Sequence, residues 1–100
     1  MATYRLRPKA RDDLSSIRRW IAKDDPPRAR TFIAELSEHF QRIADLNLRH
    51  RIIPELGPDI RLAVHGNYNL YYRLVGEAGE DVLIVRVLHG ARSLKAIEFD

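Results

Sequence analysis

At 100 residues the chain is long enough for one domain and too short for two, since domains cluster near about 100–150 residues, so one core and a single domain over 1–100 are expected. The absence of cysteine excludes a disulfide framework and a thiolate metal centre, and His39, His50, His65 and His89 are too scattered for a zinc motif, so neither metal nor cofactor is expected. The net charge of +3 comes almost wholly from arginine, because only Lys9, Lys23 and Lys95 are lysines; arginine's planar fork suits carboxylate, phosphate and aromatic partners and marks a recognition surface.

The first eleven residues carry charge where a secretion signal needs an apolar run, and no segment reaches the roughly 20 apolar residues of a membrane span. A soluble, cytoplasmic protein without a membrane partner is expected. Tyr4, Leu6 and Pro8 alternate with Arg5 and Arg7, which predicts a short edge strand closed by proline. From Lys9 onward Ala10, Leu14, Ile17 and Ile21 form one stripe of an amphipathic helix, bordered by Trp20. Asp24-Asp25-Pro26-Pro27 ends that helix and starts the next: residues before proline leave the α region, Asp25 can cap, and proline is welcome in a first helical turn. Ala29, Phe32, Ile33, Leu36, Phe40, Ile43 and Ala44 give a second stripe, so a helix over about Arg28 to Leu46 should pack on the first as an antiparallel hairpin.

Asn47 to Asp59, with Pro54, Gly57 and Pro58, reads as a connecting loop. The sheet then begins. Ile60, Leu62 and Val64 alternate with Arg61, Ala63 and His65, and Tyr68, Leu70, Tyr72 and Leu74 alternate with Asn69, Tyr71, Arg73 and Val75. A two-residue Gly66-Asn67 turn would place Arg61 and His65 on the face of Leu70 and Tyr72. A three-residue loop, His65-Gly66-Asn67, pairs Val64 with Tyr68 and brings the apolar residues to one side, and is preferred on that ground. Val82 to Leu88 is nearly all aliphatic, as expected of a strand covered on both faces. The predicted fold class is α+β: a short N-terminal strand, an antiparallel helix hairpin, then a three-stranded antiparallel sheet (β-α-α-β-β-β).

With the apolar side packed on the helices, the opposite face should show Arg61, Asn69, Tyr71, Arg73 and Arg86, with Ile84 beside them. Such a face is costly to leave wet and suggests a partner segment across it. The alternative is that the arginines pair across strands with acids such as Glu80 or Glu98. His89 and Arg92 come directly after the last strand and are candidates for contact with a target. No triad, phosphate loop, dinucleotide fingerprint or carboxylate pair can be made out, so no catalytic residue is assigned.

Several strings resemble the ParE toxins of bacterial type II toxin–antitoxin pairs, within the RelE/ParE superfamily. They are Ala10 with Asp13-Leu14, Pro54-Glu55-Leu56-Gly57-Pro58 with Arg61, Gly66-Asn67-Tyr68 with Tyr72-Arg73, and Val85-Arg86-Val87-Leu88-His89-Gly90-Ala91-Arg92. RelE-like relatives are ribosome-dependent messenger-RNA endonucleases that place lysines, arginines and a tyrosine on the sheet. Matched on Tyr68 and Gly90, those positions hold Asn69, Ile60 or Leu62, and Glu98 or Phe99, and only Arg92 survives. Without those cations a scissile phosphate loses its electrostatic stabilisation, so the chain is expected not to be a nuclease. The resemblance implies a toxin that inhibits DNA gyrase by stabilising cleaved DNA complexes. It also implies neutralisation by a ParD-like antitoxin whose disordered tail folds onto the groove formed by Arg61, Asn69, Tyr71, Arg73, Ile84 and Arg86, in a complex of two toxins and two antitoxins or larger. DNA is reached only indirectly, through the antitoxin. Two positions depart from the family pattern: Ser93 stands where aspartate is common, and Asn47-Leu48 replaces a proline-containing exit from the second helix.

Overall fold

A computed structural model describes residues 2–95 and 97–99; the outermost residues of the expected domain, Met1 and Asp100, lie outside these. The elements run β1 (Tyr4–Leu6), α1 (Pro8–Ala22), α2 (Pro26–Asp45), a short 3₁₀ turn (Pro54–Leu56), β2 (Arg61–His65), β3 (Tyr68–Val75) and β4 (Asp81–His89). Both helices begin on proline, whose fixed φ suits the first turn and whose missing N–H is not needed there. At α2 the Asp25 carboxylate adds a cap, accepting the Arg28 N–H at 3.1 Å. The unusual exit from α2 is explained by its end: Asn47 takes a positive φ of 50°, and the Asn47 and Leu48 N–H groups return to the Ala44 and Ile43 carbonyls. That is a Schellman stop, in which asparagine tolerates the left-handed position and Leu48 folds back onto the core.

The strand order β1-β4-β3-β2 makes a four-stranded sheet. Strands β2, β3 and β4 are antiparallel as expected, and β1 adds itself to β4 in parallel. The helix hairpin covers one face, where Leu36, Phe40 and Ile43 from α2 meet Leu70, Tyr72, Val82 and Ile84 from the sheet. Full burial of each such apolar side chain contributes about 1.5–3 kcal/mol. Tyr72 is fully buried, yet its hydroxyl is satisfied, donating to the Leu48 carbonyl at 2.9 Å and accepting the His50 N–H at 3.1 Å. Burial pushes its pKa up, against a smaller opposing pull from the His50 hydrogen bond. The loop after α2 is thereby pinned to the sheet.

The register of β2 differs from the expectation. His65 pairs with Tyr68, Ala63 with Leu70 and Arg61 with Tyr72, so the connection is the two-residue Gly66-Asn67 turn. Gly66 has φ 58° and stands first in the turn, where a II′ hairpin requires glycine. Turn chemistry therefore overrides the gain from an unbroken apolar face. The two polar residues this places on the helix side are satisfied at its margins. Arg61 donates to the His50 carbonyl at 2.7 Å, and the His65 Nδ1 lies 2.8 Å from the His39 Nδ1 on α2.

One of those two nitrogens must carry the shared proton and the other must accept it, so the contact requires at least one neutral ring. His39 has its pKa lowered, chiefly by burial and then by the nearby His65 and Arg42. A histidine whose folded-state pKa is depressed binds protons more readily when unfolded, so stability falls as the pH drops through the unfolded value of about 6.5 and levels off below the folded value. Thermal melts between pH 8 and pH 5 should show this loss, and His39→Gln should flatten the dependence; an unchanged slope would remove His39 as its source.

Candidate functional site

The sheet face turned away from the helices is where the arginine groove was expected, and the structure redistributes its members. Asn69, Tyr71 and Arg73 share that face as foreseen, and Arg86, opposite Tyr71, starts from it at the β4 edge. Arg61 lies on the helix side because of the two-residue turn. Ile84 is fully buried in the core beneath the helices. A register shift sets Tyr71 opposite Arg86 but Tyr72 opposite Ile84, leaving Val85 as an extra residue. Such a bulge reverses the facing of the residues beyond it. Val82, Ile84 and Val87 therefore join the helix-side core, while Val85 joins Tyr71 and Leu88 on the other side.

That second face is not open. Ile60, Tyr71, Val85, Leu88 and Phe99 form a buried cluster, with Leu56, Leu62, Leu94 and Ile97 packed against it. The covering segment is the chain's own C-terminal stretch: the Phe99 ring meets Tyr71 edge-on with centroids 4.9 Å apart. The Tyr71 hydroxyl accepts from the Asn69 amide at 3.2 Å. Arg73 is held at the rim, its Nε donating to the Pro58 carbonyl at 3.3 Å.

Arg86 belongs to a different arrangement. Its guanidinium donates twice to Asp13 on α1, Nε to Oδ2 and Nη2 to Oδ1, each at 2.8 Å, and once to the Glu98 carbonyl at 3.0 Å. Asp13 Oδ2 also accepts the backbone N–H of Val87 at 3.0 Å. Both side chains are nearly buried, 11% and 9% exposed. The Asp13 hydrogen bonds raise the Arg86 pKa further, against the opposing effect of burial. The acid that hydrogen-bonds Arg86 is thus Asp13 rather than Glu80, while Glu98 supplies its backbone oxygen and a weaker Coulombic attraction. Asp13 was visible only as part of a family string. Its position between Ala10 and Ile17, on the stripe that faces the core, was the signal of a buried carboxylate.

His89 and Arg92 are brought together. They line a groove of about 300 Å³ between α1 and the end of β4, with Ser16, Ile17, Trp20 and Tyr68 on its other walls. Both are exposed. The His89 ring stands edge-on to Tyr68, centroids 5.4 Å apart, and burial pushes the Tyr68 pKa up. His89 Nδ1 accepts the Ala91 N–H at 3.1 Å, fixing the turn that presents Arg92. Trp20, 67% exposed, stands on the rim with the Lys23 ammonium 5.3 Å from its ring centroid. β1 pairs only with Val82 to Ile84, so beyond Asp13 the β4 edge faces this groove.

No helix is long and apolar enough to cross a membrane among the described residues. The chain is similar to a solved structure from Pseudomonas aeruginosa described as a chromosomal ParDE toxin–antitoxin system. The TM-score is 0.70 at 17% identity, over 89% of this chain and 95% of that one. It is also similar to a chain of the toxin–antitoxin complex RelBE2 from Mycobacterium tuberculosis, with a TM-score of 0.59 at 28% identity over 88% and 96%. No curated protein matches the sequence at a significant level. The model of the family described as the ParE toxin of the type II toxin–antitoxin system parDE matches residues 4–94, and the chain belongs to that family.

Removing one partner of a buried ion pair strands the other charge, at about 3–5 kcal/mol. Asp13→Ala would also orphan the Val87 N–H, so urea unfolding should show a loss of at least that size. Asp13→Ala combined with Arg86→Ala should be less destabilised than the sum of the single changes; strict additivity would show that the two side chains do not act as a unit.

Proposed function

We propose that the chain is the toxin of a ParDE-like pair, acting on DNA gyrase and neutralised by a ParD-like antitoxin. Membership of the ParE family supports the toxin–antitoxin setting, and the similar solved structures are themselves toxin–antitoxin systems. The observation that carries the choice of target is the content of the sheet face. Where RelE-like relatives are expected to hold cations around a scissile phosphate, this chain packs Ile60, Tyr71, Val85, Leu88 and Phe99 out of water. Phosphate cannot be stabilised by an aliphatic and aromatic surface. Arg92, the one matching cation, lines the groove beside α1.

The antitoxin tail docks in that groove. Its walls combine an apolar floor, an exposed aromatic anchor in Trp20, and Arg92, with the lining carboxylate Asp13 already answered by Arg86; with Lys23 beside the Trp20 ring, they suit an acidic segment with apolar anchors. The adjoining β4 edge offers backbone groups to an extended chain. Arg73 and Asn69 remain on the rim of the sheet face, where a longer antitoxin could continue, whereas charge reversal at Arg86 would set a carboxylate against Asp13.

A supercoiling assay with purified gyrase should show inhibition with accumulation of cleaved DNA, relieved by an equimolar antitoxin. Messenger RNA cut in ribosomal A sites would assign the chain to the RelE-like endonucleases, the reading the RelBE2 likeness would then favour. Inertness in both assays at toxin excess would leave an inactive relative that only binds its antitoxin. For the docking groove, Trp20→Ala should weaken antitoxin binding by at least about thirtyfold, as expected for an aromatic hot spot worth about 2 kcal/mol. Unaltered affinity would move the docking site off this groove.

A further inference from the structure

The outer surface of the helix hairpin carries positive charge that the fold does not use. Two adjoining depressions lie between α1 and α2. One, of about 260 Å³, is lined by Arg18, Arg19 and Arg30 with Ala22, Pro26 and Ala29. The other, of about 200 Å³, is lined by Arg11 and Arg18 with Leu14, Ser15 and Ile33. Arg18 belongs to both, so the four arginines form one continuous row.

Three cations elsewhere are paired with acids, Arg86 with Asp13, Arg28 with Glu35 and Lys9 with Glu98. In this row Arg11, Arg18 and Arg30 have no side-chain hydrogen bond or ion pair among the described residues, and Arg19 touches only the Ser16 hydroxyl, at 3.4 Å. Neither lining contains an acid. The chain's own carboxylates at the hairpin bend are Asp24 and Asp25, and Asp25 is spent on the α2 cap.

We infer that this arginine row binds the phosphate backbone of duplex DNA directly. Three observations favour that occupant. An acidic peptide helix would need exposed apolar anchors to bury, and the exposed large hydrophobic residues, Trp20, Leu46, Ile52 and Val64, all lie outside both depressions. Single-stranded nucleic acid is held by aromatic side chains that stack its bases, and neither lining holds an aromatic ring. What remains is arginine forks alone, the group that recognises phosphate oxygens and positions a protein on a backbone without reading sequence. Arg11 and Arg18 are two helical turns apart, about 10 Å along the axis, a span that reaches successive phosphates of one strand. The family resemblance implied DNA only through the antitoxin; this surface makes the contact direct. It stands whether or not gyrase is the target, because it is measured on DNA alone.

The test is fluorescence anisotropy of the purified chain with a labelled duplex of arbitrary sequence. Binding should fall in the range of about 1–100 µM near physiological salt, with a slope of log K against log salt of about −3 to −4, the value for four neutralised phosphates. The R11Q/R18Q/R19Q/R30Q variant should bind at least tenfold more weakly with a slope reduced by about 3. A control removing equal charge elsewhere, R5Q/R42Q/R49Q/R51Q, should stay within about threefold of the parent near that salt, because non-specific attraction is dominated by contacted phosphates. Equal losses in the two variants would reduce the effect to net charge and overturn the site, as would an unchanged quadruple variant. Tighter binding of single-stranded RNA or of polyglutamate through the same arginines would replace duplex DNA as the occupant. Should the quadruple variant not fold, Arg18→Glu, which touches both depressions, should by itself weaken duplex binding at least tenfold; no change would equally overturn the site.

Discussion

The Asp13 carboxylate holds the architecture together at the place where the sheet would otherwise come apart. β1 is three residues long, and its last bond to β4 is the Arg7 N–H on the Ile84 carbonyl at 2.9 Å. Proline at position 8 then turns the chain into α1, so β4 loses its neighbour halfway along. An unpaired backbone donor out of water costs about 1–3 kcal/mol, and an open edge invites pairing with other chains. Asp13 answers both by taking the Val87 N–H itself, and its remaining lone pairs bind the Arg86 fork. Arg86 in turn reaches the Glu98 carbonyl. One carboxylate thus connects the first helix, the last strand and the C-terminal stretch. The ionic pair is not needed for its Coulomb energy, which desolvation offsets; it is needed because three N–H groups converge there.

The C-terminal stretch so held has a further consequence. By laying Leu94, Ile97 and Phe99 over Val85, Leu88 and Tyr71, it turns a surface that would have needed a partner into a second core. A domain of this size buries little more than about 60% of its unfolded surface, so a second apolar layer matters to its stability. The groove left open lies at the margin of the sheet, where the end of β4 runs beside α1.

The helices, their hairpin and the antiparallel run of β2, β3 and β4 were legible because periods of 3.6 and 2 are written into Ala10 to Ala44 and Tyr68 to Leu88, whereas the parallel place of β1 beside β4 was not. Register was not. The alternation of Ile60, Leu62 and Val64 argued for one face and the Gly66-Asn67 pair for another, and the turn prevailed because Arg61 and His65 found partners at the edge of the core. The aliphatic run of β4 did announce cover on both faces, as Val85 and Leu88 have, but the covering residues lie in an irregular segment with no periodicity to mark it. Parity along β4 was lost at the Val85 bulge, which a sequence pattern cannot locate. His89 and Arg92, chosen for their position after the last strand, do converge, because the turn after β4 is short. Trp20 was seen only as bordering a stripe, yet among the described residues it is the most exposed of the large hydrophobic side chains.

Helix α1 explains why two partners would not compete. Asp13 and Trp20 are seven residues apart and so share one side of the helix, toward β4. Arg11 and Arg18 are likewise seven apart, and at about 100° per residue they stand about 200° from Asp13 and Trp20. The stripe of Ala10, Ile17 and Ile21 fills the core side between them. An apolar anchor with flanking cations on one side suits a folded or extended peptide, and unpaired forks on the other suit phosphate. Arg19, which touches the Ser16 hydroxyl of the groove, is the member of the row nearest Trp20, so a peptide seated there would leave Arg11, Arg18 and Arg30 exposed, and a chain bound to its antitoxin would keep those three for phosphate.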